Sequence, residues 1–143
     1  MFTRSPFHHR QFTRARLVAQ RAIEAVYQRQ RIWPKDNPQP KPAPNSMLDD
    51  VLPAAALRAK VEEYLRMSRA LEVFTGAVLT PEQLQAELDR MARQTRQPAV
   101  LGALWAALDH DPLLLAECLA RPVVAAAGAS IADGGLRNAD WGM

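Results

Sequence analysis

His8, His9, His110 and Cys118 are the side chains of this sequence with the chemistry of metal ligands, general bases or nucleophiles. A zinc site needs such ligands gathered on one face, as when two histidines stand about one helical turn apart. His8 and His9 are adjacent instead, which predicts a solvated pair. His110 sits between Asp109 and Asp111, in a turn just ahead of a helix start. Cys118 lies in LLLAECLA with no histidine at helical spacing to take its proton, so it reads as an inert thiol extending an apolar face. The acids Asp49-Asp50, Glu62-Glu63 and Glu82, Glu87, Asp89 read as solvated faces or helix-terminus charges, not as an acid/base couple. No Gly-rich phosphate loop, G-x-S-x-G elbow or H-E-x-x-H run occurs. The expectation is a chain with no catalytic residue, no bound metal and no cofactor, hence not an enzyme.

Binding has more residue support. Residues 1 to 35 carry eight basic residues against one acid, Glu24, a balance of +7, and the remainder carries ten against fourteen, a balance of −4. Arg10, Arg14, Arg16, Arg21, Arg29 and Arg31 are candidates for an anionic surface, either nucleic acid or acidic lipid. The competing reading is an amphipathic core helix with a wet arginine face.

The elements that must position these residues follow from periodicity and breakers. At 143 residues, with 48% hydrophobic content, the chain suits one modest core. One cysteine allows no intrachain disulfide. No apolar run reaches the roughly 20 residues of a membrane span. Residues 1–12 read as a basic flexible arm whose opening, MFTRSPFHHRQFTRAR, lacks the apolar core of a secretory signal. An Arg-rich, acid-poor start of this kind also has the composition of an organelle transit peptide. A first amphipathic helix occupies 13–33, with Ala15, Val18, Ala19, Ala22, Ile23 and Val26 as its apolar stripe. Trp33, pushed out of the α region by Pro34, ends it and is the expected anchor. Five prolines in the eleven positions 34–44 make 34–52 a connector of solvated polyproline II character.

Residues 53–122 read as a helical bundle. Leu57, Val61, Tyr64, Leu65, Ser68 and Leu71 mark its first helix, with Gly76 as a left-handed cap or a turn residue. Thr80-Pro81-Glu82-Gln83 is a capping box with proline at N1, opening a helix buried through Leu84, Leu88 and Met91. Another helix starts at Pro98, with Val100, Leu101, Leu104, Trp105 and Leu108 as its apolar face, and a last one follows Asp111-Pro112 until Pro122 ends or kinks it. The Ala/Gly-rich tail 123–143 reads as frayed. Without any strand-like alternation, the fold class is all-α: a small bundle of about five helices with a Pro-rich extended connector after the first.

Three stretches carry a resemblance: RAIEAVYQRQRIWPKDNPQPKPAP at 21–44, LTPEQLQAELDRMARQTRQP at 79–98 and ALDHDPLLLAECLARP at 107–122. Together they resemble a helical region near the start of secreted bacterial proteins, which is similar to the amino-terminal helical domain of SurA-type and parvulin-type periplasmic foldases. The resemblance implies a chaperone-like module that holds unfolded or extended polypeptide, and an exported protein, although no signal peptide is present. Only 21 residues follow Pro122, too few for a parvulin catalytic domain, so isomerase activity is not implied. Tyr64, Leu65, Leu71, Phe74, Leu84, Leu88, Met91 and Trp105 are the candidates for a peptide groove or for the core. The connector is long enough to let the first helix swap between two copies, giving a homodimer. A structural fragment without independent function is the remaining reading.

Overall fold

The helices start and stop on residues whose chemistry requires it. The structure, a computed structural model, describes residues 9–34, 37, 40–43 and 46–132, with backbone alone at 9–12 and 129–132. It has six helices among these residues: α1 (His9–Arg29), the single turn α2 (Leu48–Val51), α3 (Ala54–Thr75), α4 (Pro81–Gln94), α5 (Pro98–Ala107) and α6, which spans 112–132. No strand occurs among the described residues, so the fold is all-α.

The capping box of α4 is present in both directions: Gln83 N donates to Thr80 Oγ1 at 3.1 Å and Thr80 N to Gln83 Oε1 at 2.8 Å. Gly76 ends α3 in the left-handed region at φ 74°. α1 stops by another device than the proline after Trp33. Ile32 N donates to Tyr27 O and Arg31 N to Gln28 O, with Arg31 at φ 61°, which is a Schellman motif built without glycine. α5 ends the same way, with His110 N on Trp105 O, Asp109 N on Ala106 O, and both Asp109 and His110 at positive φ. Asp111 then caps α6 by accepting from Leu113 N and Leu114 N.

The tail begins later than its composition suggests. Helix α6 runs past Pro122 to residue 132, and Val123, Ala125 and Gly128 are buried. Residues 115–120 are wound as a π-helix, in which Arg121 N–H reaches Ala116 O, five residues back. The next amide in that register, at 122, would serve Glu117 O, and proline has none. Arg16 Nη1 donates to that carbonyl instead, at 3.0 Å, so the helix passes the proline with its acceptor satisfied. Further along, a Cβ at Gly128 would stand 2.6 Å from Leu71 Cδ1, which shows how closely α3 and α6 approach. Residues 133–143, and the arm residues 1–8, lie outside the described residues.

The main core joins α1, α4, α5 and α6 through Ile23, Val26, Tyr27, Leu84, Leu88, Met91, Leu104, Leu108 and Leu119, among others. A second, smaller core of Leu48, Leu52 and Leu57 lies against Leu17 and Ala25. The described residues of the connector are therefore only partly solvated, with Pro40, Lys41 and Ala43 exposed. Pro34 and Asn37 are buried, Lys60 Nζ donates to Asn37 Oδ1 at 2.6 Å and to Glu24 Oε2 at 2.5 Å, and Asn37 Nδ2 has no partner among the described residues. The inward face of α1 also differs from the expected stripe. Val18 is 66% exposed, while Arg16, Gln20 and Glu24 are buried alongside Ala19, Ile23, Val26 and Tyr27. Periodicity counted apolar residues and so missed a buried face that is half polar.

Candidate functional site

The side chains with the most reactive chemistry meet in one buried seam between α1, α3 and α6. Arg16, 7% exposed, donates through Nη1 to Tyr64 Oη at 3.1 Å and through Nη2 to Glu117 Oε1 at 2.8 Å, with its guanidinium 5.8 Å from the Tyr64 ring centre. Arg121 clasps the same carboxylate from its own helix through Nε at 2.9 Å and Nη2 at 3.1 Å, and donates through Nη1 to Ser68 Oγ at 2.7 Å. Burial raises the Glu117 carboxyl, but hydrogen bonds from Arg121 and Arg16 outweigh it and hold its pKa below the ordinary carboxylate range. Burial pushes the Tyr64 phenol well above its usual value and the Cys118 thiol up to about 11. Both stay protonated at neutral pH, and both are buried. The seam satisfies its own polar groups and joins three helices.

Apart from the buried Glu24, the other acids among the described residues lie exposed or partly exposed and do not gather in one place. Asp49 pairs with Arg21, Glu63 with Arg66 and Glu87 with Arg90, and Asp89 accepts from Gln85. His110 is exposed in the α5–α6 turn, His8 lies outside the described residues, and His9 is described by its backbone alone. No group of three or more His, Cys, Asp or Glu among the described residues is placed to hold a metal ion.

Of the eight groove or core candidates, Leu84, Leu88 and Met91 are buried in the main core with Trp105 packed half-buried against it. Tyr64 belongs to the seam, and Leu65 and Leu71 are half-buried. Phe74 alone stands out, 65% exposed. The buried positions of α3 step through Leu57, Val61, Tyr64 and Ser68, and Leu71 and Glu72 continue them half-buried. Val73 and Phe74 therefore fall on the outer side of the last turn.

Around Phe74 the chain builds an apolar ridge. Val73 and Val78 are 77 and 70% exposed, and a shallow concavity of about 400 Å³ is lined by Arg69, Glu72, Val73, Gly76, Ala77 and Val78. Its backbone is fixed from within. Thr75 Oγ1 donates to Leu71 O at 3.0 Å and accepts from Ala77 N at 3.3 Å, and Glu72 Oε2 accepts from Leu79 N at 2.9 Å while lying 3.7 Å from Arg121. Arg69 on the rim is exposed and makes no ion pair with a described residue. Val73, Val78 and Arg69 were absent from the expected site. Their signal was available in the two large apolar residues that fall off the buried stripe just before a glycine turn.

The six arginines divide. Arg16 leaves the anionic-surface set, because it is buried and fully engaged. Arg31 occupies the left-handed position after α1, with Nη2 3.5 Å from Pro42 O. Arg14, Arg21 and Arg29 are exposed on α1; Arg10 lies in its first turn, with its side chain outside the described residues. Trp33 is half-buried, and its neighbours Ile32, packed on the main core, and Pro34, buried, hold the helix exit. No family model matches this chain, and no curated protein or solved structure matches it.

Proposed function

We propose that this chain is a non-enzymatic polypeptide-binding module that takes an extended apolar segment of another protein across the end of α3. The observation that carries the reading is the ridge of Val73, Phe74 and Val78, three large apolar side chains turned to solvent, of which Val73 and Val78 line a shallow concavity. Such side chains gain by removal from water, each by about 1.5 to 3 kcal/mol when fully covered. A loop fixed by its own hydrogen bonds loses little entropy on binding. Arg69, unpaired at the rim, suits a carboxylate flanking the bound apolar segment. A chaperone-like role, holding unfolded chains through this ridge, is the use this chemistry fits.

The test is suppression of aggregation of a reduced, alkylated model protein, with fluorescence anisotropy of the same labelled probe, at low and high salt. Binding that survives salt and weakens on the order of ten-fold in Phe74→Ser is the expected result. Absence of binding, or binding that ignores Phe74→Ser and Val73→Ser alike, overturns the reading.

A further inference from the structure

We propose that the outward face of α1 seats the protein on an anionic bilayer surface, separately from anything the ridge does. Positions 14, 18, 21, 25 and 29 advance by four, three, four and four, so they lie along one stripe of the helix. Arg14, Val18, Arg21 and Arg29 are exposed there and Ala25 is half-buried. The first and last arginines are about 22 Å apart along the axis. Arg14 and Arg29 make no ion pair with a described residue. Arg21 is paired with Asp49, but the two are 51 and 71% exposed, an arrangement that headgroup phosphates displace at little cost. No acid stands on the stripe. Glu24 is buried against Lys60 on the inner side, and Asp49 and Asp50 of α2 are the carboxylates beside it.

The side chains between the arginines favour a lipid surface over nucleic acid. Val18 is 66% exposed in the middle of the stripe, and Met47, 67% exposed, is brought next to α1 by the 2.6 Å hydrogen bond from Gln28 Nε2 to Ser46 O. Apolar side chains among cations enter the boundary between headgroups and acyl chains and add to binding there. Against a duplex they contribute nothing. Tyr27 is buried and Gln20 and Gln28 are engaged, so these residues offer the stripe neither a stacking ring nor a base-reading amide. No single helix among the described residues is long and apolar enough to cross a membrane.

Co-sedimentation of the full chain with vesicles of phosphatidylcholine, with and without phosphatidylserine, tests this, with a duplex DNA arm at the same salt. The structure leads us to expect partition onto the phosphatidylserine vesicles that falls as salt rises. An arginine near such a surface contributes about a five-fold factor, so Arg14→Gln with Arg29→Gln lowers partition roughly twenty-five-fold. Val18→Ser lowers it about three-fold. Circular dichroism of these surface variants confirms that they fold, and Phe74→Ser leaves partition unchanged, which separates this face from the ridge. Equal partition onto both vesicle types, no partition, or partition indifferent to the double arginine variant overturns the proposal. So does tighter, salt-sensitive binding to the duplex that ignores Val18→Ser.

Discussion

The seam around Glu117 and the ridge around Phe74 adjoin along α3, where Glu72, 3.7 Å from Arg121, stands between them, yet each has the opposite of the usual polarity. Inside, where a small bundle ordinarily packs aliphatic groups, two arginines, a glutamate, a serine and a tyrosine meet. Outside, where charge is ordinary, three large apolar side chains face water. The interior case has a cause in the backbone: a proline inside α6 strips a carbonyl of its donor, and Arg16 supplies one. No comparable backbone cause exists at the ridge among the described residues, none of which covers the exposed groups. Polar burial here serves the fold, and the proposed function gives the apolar exposure its use.

Removing Arg16 tests that division most severely. Arg16→Met leaves the Glu117 carbonyl and the Tyr64 hydroxyl short of a donor in a buried setting and leaves Arg121 alone on the carboxylate. The expected loss is about 3 kcal/mol, read as a lowered urea midpoint. Arg16→Lys recovers only part of it, because an ammonium cannot fork across carbonyl, carboxylate and phenol at once. A loss below about 1 kcal/mol would mean that the seam is a surface ion pair in effect.

Acid sharpens the same point. The Glu117 pKa is lower in the folded chain than in the unfolded one, so the folded state gains from its ionisation. That gain is complete above the unfolded carboxyl value near 4.3 and is lost as pH falls through the folded pKa. Stability of the wild type should therefore fall below about pH 4. Glu117→Gln, less stable at neutral pH, should lack this part of the slope, so that the two curves converge in acid. Parallel curves would assign the acid sensitivity to other carboxylates.

A smaller effect isolates the proline. Pro122→Ala restores an amide where Glu117 O needs one, so the cost of Arg16→Met should shrink by about 1 kcal/mol in that background. A double-mutant cycle in urea measures it. Additive losses would mean that the carbonyl is served by something other than Arg16 when proline is present.

What could be read in the sequence was local. The Thr80 capping box, the Gly76 cap and the Asp111 cap are set by side chains within a few residues of the backbone they serve, and they stand where the sequence placed them. Leu84, Leu88 and Met91 carry a clean apolar stripe and are core. Arg16 was illegible because its partners are 48 and 101 residues away, and an arginine two positions from Arg14 looks the same until the topology is known. The helical stretch 123–132 was misread for a related reason: alanine and glycine have little to bury on their own, and Gly128 matters only because Leu71 arrives against it. Phe74 stood as a candidate for groove or core alike because apolar character alone does not say which side of α3 it faces.

The mildest test concerns the ridge itself. If Val73, Phe74 and Val78 serve the fold, truncating them destabilises it as core substitutions do, by about 2 to 5 kcal/mol. If they serve a partner, Phe74→Ser should change stability by less than about 0.5 kcal/mol, because a side chain already 65% exposed loses few internal contacts. The same substitution should leave Cys118 as protected from a thiol reagent as in the wild type, since that buried thiol, with its pKa pushed up to about 11, reports opening of the seam. A faster thiol reaction in Phe74→Ser would show that the end of α3 and the seam open together through Glu72 and Arg121. The contrast between the two regions would then collapse into one cooperative unit.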